Sequence, residues 1–215
     1  RCFFLPQNQV EIKGNWDVVG LRGTGSFDYE VPEQQVDERW SFELFDATAK
    51  SGGPLSELGP VVQAALCHAG WGLGMGRRAL AEVKAVVCAG RTRMGSTPLR
   101  EQQAFQREFT RRTLSLEAAE SLTRTTFEAA IDHVSGGDPL SEELITRTRA
   151  CATFITQVAE EAMAFAYRQA GSSVMRNPSV LQKAQRDMMV GGRHLFVDEK
   201  NYEDLAGQLL QVEAI

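Results

Sequence analysis

From about residue 55 onward, the sequence consists of long amphipathic segments of helix-forming residues separated by short breaks. Glycine- or proline-containing breaks occur at 52–54, 91–98, 135–139 and 170–173. They delimit predicted helices at 55–89, 99–134, 141–169, 179–196 and 202–212. Long helices joined by short turns pack as antiparallel neighbours. The chain is therefore predicted to be mainly α, with an antiparallel helical bundle as its principal unit.

The first 45 residues differ from the rest and predict short strands. Candidate strands lie at 1–6, 10–13, 28–31 and 39–44, with a glycine-rich loop at 20–26 and a linker at 46–54. Four short strands do not bury enough surface to be stable alone, so this part should lean on the helices or on residues outside the sequence. The first residue is Arg1, without an initiator Met or a signal-peptide pattern, and we expect a chain trimmed upstream.

Composition excludes several classes of function. A net charge of −5 and a pI of about 5.3 argue against a nucleic-acid partner. No apolar run is long enough to cross a membrane, so no membrane partner is expected. The four cysteines have no metal-binding spacing, no metal site is expected, and a reducing cytoplasmic location is the simplest prediction.

The fourth predicted helix carries the residues with the clearest chemical potential. His194 follows the pair Arg186-Asp187, and Asp187 precedes it by seven residues, close to two helical turns. On a continuous helix Asp187 and His194 would share a face. A histidine there can exchange a proton near neutral pH, or it can be an ordinary helix residue. The Arg-Asp pair itself favours a structural salt bridge between helices.

Three separated motifs together resemble the acyl-CoA dehydrogenase superfamily. Residues 16–26, WDVVGLRGTGS, resemble the end of its β-domain, and RTRMG at 91–95, followed by Pro98-Leu99, resembles the turn between the first two bundle helices. Residues 170–173, 179–183, Arg186-Asp187 and His194 resemble the last part of that bundle. The resemblance covers essentially the whole chain in order.

The resemblance implies an architecture of two parts. It assigns 1–50 to the second half of a middle β-domain and 51–215 to the C-terminal four-helix bundle, preceded in full-length members by an N-terminal helical domain and the first half of the β-domain. Full members are nearly twice as long as this chain. They are typically homotetramers built through these bundles, and the small residues of the first helix are compatible with such an assembly.

Within the superfamily, the pattern is most similar to the flavin-dependent two-component monooxygenases. Dehydrogenases often carry a glutamate base before Gly-Thr, and here that position falls near Leu195, without a Glu-Gly-Thr. The resemblance therefore implies an oxygenase that uses reduced FAD or FMN and O2 to hydroxylate a small aromatic or polycyclic substrate. Its reduced flavin would come from a separate flavin reductase.

The resemblance also implies roles for individual residues. His194 would lie beside the flavin and the substrate, where it would deprotonate a phenol or hydrogen-bond the oxygenated cofactor. Arg91 and Met94 would contact a flavin phosphate or adenine in a neighbouring subunit, although family members often have Phe where Met94 stands. Ser26 would face the flavin, and Arg22 and Thr24 the substrate.

Each assignment has a structural alternative. The loop at 20–26 can be a tight turn between strands, and Arg91 can be a cation at a helix C-terminus. His68 and His133 match no motif and are predicted to be structural or exposed. At the level of function, the alternatives are an FAD-dependent acyl-CoA dehydrogenase and a non-catalytic fragment that only oligomerises.

Overall fold

In the computed structural model, residues 1–45, 51–90 and 95–211 are described. Six α-helices lie in these ranges: α1 (Pro54–Glu57), α2 (Gly59–Cys88), α3 (Gln103–Ser135), α4 (Glu142–Ala170), α5 (Val180–Gly191) and α6 (Lys200–Leu210). The longer helices form an antiparallel bundle, which confirms the predicted fold class. None of the helices in the described ranges is long and apolar enough to cross a membrane.

Helix α4 lies at the centre of the bundle, where it contacts α2, α3, α5 and α6. Its side chains Ile155 and Met163 are completely buried, together with four alanines on the same helix. Small residues on α2 also allow its neighbouring helices to approach it closely, since Gly72 and Gly76 are both buried. The alternation of alanine and larger apolar residues therefore gives a thin, densely packed core.

Most helix boundaries follow the local cues in the sequence. The Ser141 hydroxyl accepts a hydrogen bond from the Leu144 N–H at 3.2 Å, which confirms it as the cap of α4. The first predicted helix is divided at Gly59, whose φ of 71° interrupts the helical backbone. Helix α3 begins at Gln103, after a 3₁₀ turn at Leu99–Glu101, and is thus shorter than predicted.

The fourth predicted helix is the clearest error. It was expected to continue to residue 196, but α5 ends at Gly191, and a separate 3₁₀ turn covers Leu195–Val197. Asp187 and His194 therefore do not share one face of a helix. The last predicted helix is present as α6, and its expected end at Val212 lies outside the described residues.

All four predicted strands contain strand structure, but each is only two residues long: β1 (Cys2–Phe3), β2 (Glu11–Ile12), β3 (Tyr29–Glu30) and β4 (Ser41–Phe42). They form two separate antiparallel pairs, β1 with β4 and β2 with β3. Large apolar side chains remain exposed here, including Phe4 at 63% and Tyr29 at 67%. The assignment of 1–50 to half of a β-domain and of 51–215 to the bundle domain stays a prediction.

Candidate active site

His194 lies in the short connection between α5 and α6. Its N–H donates to the Gly191 carbonyl at 3.2 Å, and its side chain caps the following 3₁₀ turn. The ring Nδ1 accepts a hydrogen bond from the Phe196 N–H at 3.3 Å. The histidine is exposed. It is therefore held by its own turn and presented at the surface, rather than carried on a helix face.

Two glycines lie where the helix ends and let the connection pack closely against the bundle. A Cβ atom on Gly191 would come within 2.3 Å of the Trp71 ring on α2, and one on Gly192 within 1.9 Å of Glu160 Oε1 on α4. The bulky Trp71 ring leaves little room for a side chain at Gly191, whereas the Glu160 carboxylate is the end of a flexible side chain. The connection is thus pressed into the bundle between α2 and α4, which brings His194 next to α2.

An aromatic and imidazole cluster surrounds this connection. The His68 and His194 rings lie 5.3 Å apart between centroids, and His68 lies 5.1 Å from the Trp71 ring. His194 stacks on Phe196 at 5.2 Å. His68, which matches no sequence motif, is therefore part of the candidate site. Its spacing of three residues from Trp71 on α2 places both on one helix face, but nothing in the sequence connects that face with His194.

The environment of His68 favours its neutral form. Burial lowers the pKa of His68, the neighbouring His194 lowers it further, and a polar contact with the Gly191 backbone acts in the opposite direction. Its Nε2 atom is buried and has no hydrogen-bond partner among the described residues. The site therefore combines one half-buried imidazole that favours its neutral form with one exposed imidazole.

We expect His68 to titrate below the ordinary histidine value of 6.5, as nuclear magnetic resonance of the ring Cε1–H would measure. Since this pKa is lower in the folded state than in the unfolded state, the stability that depends on neutral His68 is lost as the pH falls below 6.5. His194→Gln should move the pKa of His68 part of the way back, because burial remains. With only three histidines in the chain, His133→Gln completes the resonance assignment and serves as the control. An unshifted His68, or one insensitive to His194→Gln, would refute the proposed coupling.

A cavity of about 680 Å³ opens beside His194. Glu160, Arg193, Glu199 and Lys200 also line it, and Arg193 pairs with Glu160 at 3.5 Å. Burial raises the pKa of Glu160, while Arg193 opposes that rise. The cavity wall therefore offers a carboxylate of elevated pKa and cationic groups in addition to His194.

The glycine-rich loop is anchored to the same helix that leads to His194. Gly20 is buried against α5, where an added Cβ would lie 2.0 Å from the Arg186 carbonyl oxygen. The Leu21 N–H donates to Asp187 Oδ1 at 2.8 Å. Burial acts to raise the pKa of Asp187, but the Leu21 amide and Lys183 outweigh it, so the pKa is lowered. Asp187 is thus an ionised anchor for the loop.

This arrangement corrects the expected salt bridge between helices. Asp187 pairs with Lys183 on its own helix, and the Arg186 guanidinium donates to Gln182 at 3.1 Å. Neither residue of the Arg-Asp pair forms an ion pair with another helix among the described residues. The hydrogen bond that joins Asp187 to a residue outside α5 comes from the Leu21 backbone amide. Pairing opposite charges in the sequence could not predict a bond to a backbone group.

The three predicted loop residues lie on the exposed side of this anchor. Arg22 pairs with Asp17 at 3.2 Å, the Thr24 hydroxyl donates to the Leu21 carbonyl at 2.9 Å, and Ser26 is exposed. Among the hydrogen bonds and ion pairs of the described residues, none joins them to His194. The structure therefore attaches the loop to the C-terminal half of α5 and places the histidine just beyond the end of that helix, without bringing their side chains together.

Arg91 and Met94 lie outside the described residues. The chain that follows residue 94 borders a cavity of about 550 Å³, lined there by Thr97 and Gln102 and on the other side by Arg168, Ser172 and Ser173. A further cavity of about 860 Å³ lies among residues 1–36 and has mostly apolar walls, such as Val10, Phe27 and Val36.

Residues 66–199, more than half of the chain, match the sequence model of the acyl-CoA dehydrogenase C-terminal domain. The chain belongs to this family. The match includes His68, the glycine pair and His194, so the candidate site lies within the family domain. The resemblance inferred from the separated motifs is thereby confirmed at the level of the family.

Relatives and solved structures agree with this family. An indole-3-acetate monooxygenase from Pseudomonas putida is 28% identical over 204 residues, which cover 95% of this chain and 52% of the relative. XiaF from Streptomyces sp., solved in complex with FADH2 and glycerol, superposes with a TM-score of 0.87 at 21% identity, covering 99% of this chain and 56% of XiaF. The 3-HSA hydroxylase from Rhodococcus sp. RHA1 gives a TM-score of 0.84 at 20% identity, with 99% and 57% covered. The chain spans about half the length of the curated relatives it matches.

Proposed function

We propose that this chain belongs to the oxygenase component of a two-component flavin-dependent monooxygenase that oxidises a small aromatic or polycyclic substrate. The observation that carries the proposal is the similarity to indole-3-acetate monooxygenases over 95% of the chain. An acyl-CoA dehydrogenase is less well supported, because Leu195, at the position expected for the glutamate base, has no acidic group and is 72% exposed.

The residues around His194 suit a flavin. His68, Trp71 and Phe196 present flat rings beside the connection that carries His194, and flat rings favour stacking on a planar ligand. We propose that His194 and Ser26 approach the flavin and that Arg22 and Thr24 approach the substrate. A bound reduced flavin supplies the electrons that activate O2, chemistry that amino-acid side chains do not provide.

The hydrogen bond at His194 Nδ1 determines what this residue offers a substrate. Because Nδ1 accepts from the Phe196 N–H, the neutral ring carries its proton on Nε2. Nε2–H is then a hydrogen-bond donor toward an oxygen atom beside it. Of the two roles implied for His194, this geometry supports hydrogen-bond donation over removal of a phenolic proton.

The remaining parts of the proposal concern partners. Reduced FAD or FMN would be delivered by a separate flavin reductase, and the protein would act as a homotetramer in the cytoplasm. Arg91 and Met94 would bind the phosphate or adenine of a flavin held by a neighbouring subunit. The polar cavity that includes Thr97, Arg168 and Ser172 supports this placement, since it adjoins the chain that follows Arg91.

Product analysis under controlled oxygen tests the proposal. The protein is mixed with chemically reduced FAD or FMN, air and an indole or phenol, and we expect an oxygenated product that requires both reduced flavin and O2. Anaerobic reduction of bound oxidised flavin by an acyl-CoA, without product from the aromatic compound, would support a dehydrogenase instead. Failure to bind either flavin, with oligomers still formed, would support the purely oligomerising alternative.

A further inference from the structure

Asn201 is a completely buried polar residue at the start of α6, with no exposed surface. Its amide Nδ2 donates to the Thr153 hydroxyl on α4 at 2.9 Å and to the Phe196 carbonyl at 3.0 Å. A carbonyl can only accept, so the bond to Phe196 fixes which way the amide faces. The carboxamide oxygen Oδ1 has no hydrogen-bond partner in the described part of the chain. Burying an amide with its oxygen unpaired lowers the stability of the fold. This cost indicates that the paired nitrogen, Nδ2, has a specific role.

The Phe196 backbone connects Asn201 with His194. The carbonyl of Phe196 accepts from Asn201, and the N–H of the same residue donates to His194 Nδ1. These two groups belong to the two peptide planes that meet at the Phe196 Cα, in the 3₁₀ turn Leu195–Val197. The bond from Asn201 therefore restricts rotation at Phe196 and helps to keep its N–H directed at His194 Nδ1.

Thr153 ties this linkage to the centre of the bundle. Its hydroxyl, which accepts from Asn201, lies 3.2 Å from the Arg149 carbonyl and 3.4 Å from the Asp198 carbonyl, to which it can donate. Thr153 is fully buried on α4. The turn next to His194 is therefore attached, through one amide and one hydroxyl, to α4, the central helix of the bundle.

We propose that Asn201 is a positioning residue that holds the Phe196 backbone in place. As a result, His194 Nδ1 stays a hydrogen-bond acceptor and the neutral ring keeps its proton on Nε2. The consequence for catalysis rests on the proposed function, whereas the effect on the histidine ring does not. The two can therefore be tested separately.

Helix α6 contains a matched control. Gln208 Nε2 donates to the Thr146 hydroxyl on α4 at 3.1 Å, and its Oε1 atom is also buried without a partner among the described residues. This is the same type of amide-to-threonine bond between the same two helices. It is remote from the turn at Leu195–Val197. Gln208→Ala thus removes an equivalent bond between α4 and α6 without touching the His194 linkage.

The test is nitrogen-15 resonance of the imidazole rings at a pH above the ordinary range for histidine, where both tautomers of the neutral ring can be distinguished. In the unmodified protein we expect His194 to be mainly the Nε2–H tautomer. Asn201→Ala should give a mixture of the two tautomers, and Gln208→Ala should leave the His194 signals unchanged. Thr153→Val should have a smaller effect than Asn201→Ala, and Thr153→Ser, which keeps the hydroxyl, should restore the original spectrum.

The turnover rate is the second measurement. With reduced flavin and an aromatic substrate, Asn201→Ala should lower the rate on the order of tenfold, as loss of a partner behind a functional histidine commonly does. An unchanged His194 tautomer in Asn201→Ala or equal disturbance by Gln208→Ala would overturn the inference. If Asn201→Ala does not fold, the contrast between Thr153→Val and Thr153→Ser decides. A shifted tautomer in a protein without oxygenase activity would support the positioning role and refute the proposed function.

Discussion

Replacing His194 with alanine is expected to lower the rate of substrate oxidation by about 10²- to 10³-fold, the usual contribution of a preorganised hydrogen-bond donor. The free energy of unfolding should change little, because His194 is exposed and, among the described residues, its ring accepts one hydrogen bond, from the Phe196 N–H. Steady-state rates with reduced flavin, O2 and an aromatic substrate, together with urea unfolding, measure both effects.

His133→Ala is the matched control for that substitution. His133 is half-buried, and its Nε2 lies 2.9 Å from the Pro139 carbonyl in the connection between α3 and α4. It has no contact with the cluster around His194 among the described rings. Wild-type turnover in His194→Ala, or an equal loss of turnover in His133→Ala, would remove the proposed role of His194.

Replacing Gly20 with alanine is expected to cost roughly 1–3 kcal/mol of stability, the range for overpacking at a buried position. The added Cβ would lie 2.0 Å from the Arg186 carbonyl oxygen, 2.3 Å from its carbon and 2.6 Å from the Asp187 nitrogen. All three atoms are helix backbone, so no side chain can move aside. The loop must separate from α5, and the bond from Leu21 to Asp187 should be lost with it.

Gly23→Ala, in the same loop, controls for the loss of a glycine. No atom lies within 4 Å of a Cβ at Gly23, and its φ is outside the left-handed region. Urea unfolding should therefore show a clear decrease in stability for Gly20→Ala and almost none for Gly23→Ala. Equal stabilities of the two variants would mean that the contact between the loop and α5 contributes nothing to the fold.

The bundle could be predicted from the sequence because its determinants are local. Long amphipathic segments, the breaks between them and the Ser141 cap each act within a few residues, and they fixed the type and order of the helices. The short strands were also located, but not their length. Each strand is only two residues long, and side chains such as Phe4 and Tyr29 remain exposed. The length of a strand depends on its pairing with a distant strand, so a local sequence pattern does not predict it.

The candidate site was only partly predictable because its geometry depends on contacts between distant residues. His194 was identified, but its helix was extended too far, since the packing of Gly191 against Trp71 and of Gly192 against Glu160 is a tertiary effect. His68 was dismissed because it matched no motif. Its proximity to His194, 126 positions away in the chain, arises only when α2 packs against the end of α5.

The most direct test of the central proposal is the source of the oxygen atom in the product. The protein is supplied with reduced flavin, an indole or phenol and oxygen-18 gas, and the product is analysed by mass spectrometry. We predict that one labelled oxygen atom from the gas enters the aromatic product, and that labelled water gives none. Oxygen derived from water, or substrate oxidation that proceeds without O2, would contradict the assignment as a monooxygenase.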